Sequence, residues 1–221
     1  MRASLAISVL LLLGACVPGS DRRAPPPRPA PSLDRAPGRA DADDPSTRQC
    51  LSELARDQVR FRALEDRRFD GGCSALGSVQ LLEIGTPVTN LGAMTCPLAR
   101  AFARWVRESV QPAAARHLGS PVRRVETFGT YACRPVNGRS GARMSEHGLA
   151  NAVDVAAFLL ADGRRVSVEA GWRGEEENVR RFLREIHQGG CRRFAIGLGP
   201  DSDAYHYNHL HFDMGRGPYC R

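Results

Sequence analysis

Ser145-Glu146-His147-Gly148-Leu149-Ala150-Asn151-Ala152-Val153-Asp154-Val155-Ala156-Ala157-Phe158-Leu159-Leu160 is the stretch on which the reading of the fold turns. Its second part, Asn151 to Leu160, is an apolar run of strand length closed by the Asp162-Gly163 turn signal. Downstream, Val166 to Ala170 is placed to return as a hairpin. Glu175 to His187 reads as a helix, acidic in its first turn and stopped by Gly189. Phe194–Leu198 and Leu210–Met214 read as closing strands. Upstream, Val122–Cys133 reads as a strand leading into a turn around Pro135 and Gly138. Before it, Thr95 as N-cap and Pro97 in the first turn open a helix that runs to Leu118 and stops at Gly119. Ala101, Phe102, Trp105, Val106 and Val110 form its apolar face, with Trp105 read as core. Val79–Ile84 reads as a strand. Cys50–Arg68 reads as a helix, followed by a turn at Gly71-Gly72. Helices fall early and strands late. That order predicts an α+β fold, a mainly antiparallel sheet with helices packed on one side.

The chain has 221 residues, which suits one domain with appendages. Apolar residues make up 42%, enough for a sizeable core, and the formal charge is +7. A basic balance suits anionic partners, and equally a merely solvated surface. Arg2 precedes an apolar run from Leu5 to Leu13, the layout of a secretory signal over residues 1–15. Leu13-Gly14-Ala15-Cys16 resembles the lipobox of bacterial lipoproteins. That resemblance implies lipidation of Cys16 and a place at the periplasmic face of a membrane. An ordinary signal peptide and a soluble periplasmic protein are the alternative. Residues 16–46 are rich in Pro, Arg, Ala and Asp and read as a disordered tether. The folded domain is expected over 47–221. Nucleic acid is suggested by charge alone, and export and scarce aromatics argue against it.

Seven cysteines minus Cys16 leave Cys50, Cys73, Cys96, Cys133, Cys191 and Cys220. Six cysteines in an exported chain suggest three disulfides, and no CxxC pair points to a zinc finger. Sequence leaves the pairing open. The pairing expected is Cys50–Cys73, Cys96–Cys133 and Cys191–Cys220, neighbour with neighbour.

Two segments concentrate chemical groups. One is residues 145–154 and the other is His206-Tyr207-Asn208-His209-Leu210-His211. On a strand, His209 and His211 project to one face. Two imidazoles near a carboxylate suit a metal site or an acid–base site, and Zn²⁺ accepts both donor types. A surface histidine cluster without a ligand is the plain alternative. His117 and His187, near the predicted helix C-termini, read as structural.

Ser145-x-His147, Asp154 seven residues on, and the later His209-x-His211 resemble the signature of the LAS metallopeptidases, SxHxxGxAxD followed by HxH. That group takes in D-Ala-D-Ala carboxypeptidases, murein endopeptidases and the zinc fold of hedgehog domains. Tyr131-x-Cys133-Arg134-Pro135-x-Asn137 and the overall layout are similar to the extensin-like C-terminal domain family of bacteria, over most of 48–221. The resemblance implies zinc on His147, Asp154 and His211 in a LAS/hedgehog-like fold. It implies a peptidase acting on the peptide part of peptidoglycan. His209 would serve as general base and His206 as proton donor. Arg134 would hold a substrate carboxylate, with Ser145 also facing substrate. Arg139 reads as solvated surface. Two departures stand out. Ala150 replaces the family glycine. Asn208 replaces the glutamate base of the dipeptidase branch, and Asn takes no proton at neutral pH. The competing expectation is a non-catalytic zinc protein of the cell envelope that binds wall peptides or is structural.

Overall fold

The computed structural model describes residues 44–221. The signal segment, Cys16 and the tether up to residue 43 lie outside the described residues. Helix α1, Pro45–Arg56, starts two residues before the expected domain boundary. Asp44 caps it, accepting from the Thr47 N–H at 3.2 Å and the Thr47 hydroxyl at 3.0 Å. The helix ends at Arg56, not at Arg68. Gln58 turns the chain at φ 58°, and the residues beyond become strands β1 (Arg60–Ala63) and β2 (Arg67–Arg68). Phe61, expected on a helix face, instead pairs across to Leu81. Gly71 and Gly72, both at positive φ, turn β2 back onto β3 (Ser74–Ala75). Strands β4 (Ser78–Glu83) and β5 (Met94–Thr95) complete a small antiparallel sheet ordered β1-β4-β5.

Thr95 opens helix α2, Cys96–Trp105, with Pro97 in the first turn. A π-turn, Val106–Val110, joins it to α3, Gln111–Leu118, and Gly119 closes the unit at φ 66°. The π-turn has a local cause. Pro112 has no N–H to give back along the helix, and the widened turn lets Gln111 N–H bond Val106 O instead.

The main sheet runs β11-β9-β10-β7-β6, with β8 also paired to β7. Its strands are β6 (Val122–Gly129), β7 (Ala152–Leu160), β8 (Arg165–Ser167), β9 (Ile196–Leu198), β10 (Leu210–Asp213) and β11 (Tyr219–Cys220). All its pairings are antiparallel except β11 on β9. The fold is therefore α+β and dominated by antiparallel pairing. The β7–β8 hairpin forms as expected, and Ser167 then caps a single turn, α4, Val168–Gly171. Helix α5, Glu177–Cys191, runs past Gly189. Gly189, expected to end it, and its neighbour Gly190 are there for space. A Cβ on Gly189 would strike Ser109, and one on Gly190 the ring of Phe212.

Strand β7 is buried on both faces. Val153, Val155, Phe158 and Leu160 join the core under the helices. Their parity switches from odd to even because Ala156 stands unmatched where Glu126 faces Ala157 and Thr127 faces Val155. Trp105 sits against Phe158 and Phe212 and donates its Nε1–H to Ile186 O at 2.8 Å, which ties α2 to α5. The opposite face of β7 and β10 is left for Asp154, His211 and Asp213.

Three disulfides form, but two of the expected pairings do not. Cys50 bonds Cys96, and Cys73 bonds Cys133; only Cys191–Cys220 is as expected. Cys50 lies on the face of α1 that packs on α2, whose first residue is Cys96. Chain neighbours were the wrong guide because β1 to β5 carry the chain away between them.

Candidate metal centre

The strand register builds the site. His211 on β10 is paired directly across from Asp154 on β7, and both side chains leave the sheet on the face away from the helices. His147 arrives from the 3-10 turn Glu146–Leu149 that precedes β7. Ser145 caps this turn, its Oγ accepting from the His147 N–H at 3.3 Å. Ala150 ends the turn in the left-handed region, at φ 54°. That conformation explains why a glycine suits this position and why alanine there costs strain.

The three side chains converge. His147 Nε2 lies 3.1 Å from Asp154 Oδ2 and 3.3 Å from His211 Nδ1, and His211 Nδ1 lies 2.8 Å from Asp154 Oδ1. Ligands of one tetrahedral zinc stand roughly 3.4 Å from one another. Two nitrogens and one carboxylate at these separations fit that donor set. The outer nitrogens fit as well. His147 Nδ1–H donates to Thr130 O at 3.2 Å, and His211 Nε2–H donates to Asp213 Oδ2 at 2.9 Å. With a metal bound, each ring would turn a bare nitrogen inward, the arrangement that orients metal-binding imidazoles.

All three groups are buried. Burial opposes charge on Asp154, yet the hydrogen bonds from His147 and His211 hold its carboxyl far below the usual range. Burial also opposes charge on His211, and its bonds to Asp154 and Asp213 still raise it to about 9. Without a cation the cluster thus keeps a proton on His211 as counter-charge.

The other predicted residues gather at the same place. His209 Nε2 lies 3.4 Å from Asp154 Oδ1, while His209 Nδ1–H donates to Asn208 Oδ1 at 2.9 Å. Asn208 is no base, but it sets the tautomer that turns Nε2 of His209 toward the cluster. Burial pushes His209 down to about 4, so it is neutral at pH 7. His206 donates to Asp203 Oδ1 at 2.8 Å, and its ring centre is 5.5 Å from that of His211. Burial lowers its pKa against the pull of Asp203. A cleft of about 680 Å³ opens over these groups, and Arg134 and Ser145 line it. Arg139 stays outside and reaches Tyr205, its Nη2 donating to the phenol oxygen at 3.3 Å.

His117 bonds Glu185 at 2.7 Å, a structural tie between α3 and α5. His187 is not at a helix end, since α5 continues to Cys191. It is buried edge-on to Trp172. Sequence reasoning missed Asp213, Asp203 and the Thr130 carbonyl. Asp213 had a signal, since His211-Phe212-Asp213 alternates on a strand and puts His211 and Asp213 on one face.

No curated protein and no solved structure matches the chain. A family model described as extensin-like protein C-terminus matches residues 48–221, and the chain belongs to that family.

Proposed function

We propose that this chain is a zinc-dependent peptidase acting on the peptide part of bacterial peptidoglycan. The observation that carries the reading is the triangle of His147 Nε2, Asp154 and His211 Nδ1 at the floor of a cleft, with two further histidines over it. The likeness to LAS-type zinc peptidases in the His147–Asp154 spacing and the His209-x-His211 pair supports it. Zinc, when bound there, would supply Lewis acidity and an acidified water.

The chain's own groups account for the rest. His209 offers a neutral Nε2 to the proton that an attacking water must lose, and Asn208 holds the ring in that tautomer. His206, oriented by Asp203, stands on the same side to protonate a leaving amine. Arg134 on the cleft wall provides a fork for a substrate carboxylate. Export, a lipid anchor at Cys16 and a basic domain would place this activity beside an anionic wall polymer at the periplasmic face.

The test is metal analysis of the purified protein, then muropeptide digestion with and without chelator. We expect about one zinc per chain, and cleavage that stops on chelation and returns with zinc. His211→Ala should lose the zinc; wild-type zinc content in that variant would sink the ligand assignment. His209→Ala should keep zinc and cut cleavage by roughly 10²–10⁴-fold. A non-catalytic envelope protein would bind zinc and cleave no muropeptide.

A further inference from the structure

Six large apolar side chains are exposed among the described residues: Phe69, Leu82, Phe128, Tyr205, Tyr207 and Tyr219. Five are aromatic, and four of those five stand around the metal cleft. Phe128, Tyr205 and Tyr207 line a groove of about 340 Å³ that shares His147, Asp154 and His209 with the main cleft. Tyr219 lines the main cleft. Phe69 extends the aromatic surface through Tyr131, which also lines the groove, with ring centres 5.6 Å apart. Exposed aromatic surface concentrated in this way marks a binding site.

The groove's chemistry narrows its ligand. Phe128 is 58% exposed and Tyr207 53%, so much of each ring is open to solvent. No leucine, isoleucine or valine lines the groove. A pocket for an apolar peptide side chain would be served equally by aliphatic groups. Flat rings edged by phenol hydroxyls instead suit a ligand that is apolar on one face and hydroxyl-rich at its rim, which describes a pyranose ring. Charge agrees. Beyond the His147–Asp154 pair and His209, Arg134 is the only ionisable side chain lining this groove apart from its tyrosines, with Arg139 over the Tyr205 ring at 5.9 Å, whereas the main cleft also carries Arg143, Arg216, Glu146 and Asp203. A neutral sugar fits the aromatic arm and a charged peptide fits the other.

We infer that the Phe128–Tyr205–Tyr207 groove binds N-acetylated sugar rings of a glycan strand, so that the ligand of this protein is a glycan carrying its peptide into the metal cleft. The inference rests on the peptidoglycan reading for its peptide half and for the N-acetyl groups; the sugar-ring half stands on the aromatic groove.

The probe is a peptide-free tetramer of N-acetylglucosamine, titrated into the purified protein by calorimetry. Wild type should bind it. Tyr207→Ala and Phe128→Ala should each weaken binding by about tenfold. Tyr207→Leu keeps an apolar side chain without the flat face and should weaken binding as much as alanine, while Tyr207→Trp should restore it. Absence of tetramer binding, or full binding by Tyr207→Leu, overturns the inference, as does displacement of the tetramer by a sugar-free wall peptide without its ammonium and carboxylate groups. A protein that binds the tetramer but never cleaves muropeptides retires the peptidase reading and leaves the sugar groove standing. One that cleaves muropeptides yet ignores the tetramer does the reverse.

Discussion

His211 has both ring nitrogens committed, Nδ1 to the cluster and Nε2 to Asp213. Asp213 is itself fixed by the Gly215 N–H at 2.7 Å, so the imidazole cannot rotate without breaking two bonds. Asp213→Asn keeps the shape but can offer its amide N–H₂ to Nε2, favouring the wrong tautomer. We expect zinc affinity to fall by about 10–100-fold, measured by competition with a chelating dye. Unchanged affinity would show that Asp213 only packs. At this scale the sequence was readable where partners are close in the chain. His147 and Asp154 are separated by six residues of defined pattern, and their types declare the chemistry. Asp213, Asp203 and the Thr130 carbonyl were harder to see, because their roles depend on strand register or on a backbone atom. Asn208 was read as a missing base; the structure shows its amide oxygen doing the orienting.

At the scale of elements, the long helix, the β7 hairpin and the two closing strands were legible because each has a strong apolar pattern and a turn or cap at its ends. The segment after α1 was misread because Phe61 and Leu64 happen to continue a helical period across Gln58. The disulfides were misassigned because pairing is a property of packing. The Cys73–Cys133 bridge has a consequence at the site. Ala132 N–H, one residue before Cys133, bonds His147 O at 3.2 Å, and a Cβ on Gly148 would lie 3.3 Å from Cys73 Sγ. The bridge thus clamps the loop that follows β6 against the turn carrying His147. Replacing Cys73 and Cys133 together by serine should cost about 4 kcal/mol of stability and also weaken zinc binding. The same change at Cys50 and Cys96 should cost a similar amount and leave zinc affinity alone, since that bridge joins α1 to α2 away from the site. Denaturant unfolding and zinc competition on both double variants separate the two effects. Equal zinc affinity in both would remove the clamp.

Across the whole molecule, buried histidines pull stability in opposite directions with pH. Outside the His147–Asp154–His211 cluster the clearest case is His187, which sits among Trp172, Phe212 and the Cys191 sulfur. Burial lowers its pKa from the ordinary 6.5; the Gly197 backbone and Asp201 pull the other way, and Arg184 adds to the lowering. The folded pKa lies below the unfolded one, so the unfolded chain takes up the proton first. His187 therefore contributes nothing adverse above pH 6.5, and stability drains away as pH falls from 6.5 through the folded value. The limit is about 1.4 kcal/mol per pH unit for one proton. His211 runs the other way in the metal-free protein. Raised to about 9, it adds stability that is complete below 6.5 and lost as pH rises through 9. His187→Gln removes only the first effect. Thermal unfolding from pH 7.5 to 5 should show the wild type losing stability relative to this variant below 6.5 and running parallel to it above. Parallel curves throughout would mean that the His187 pocket admits the proton freely, and would overturn the reading of burial as the cause of its lowered pKa.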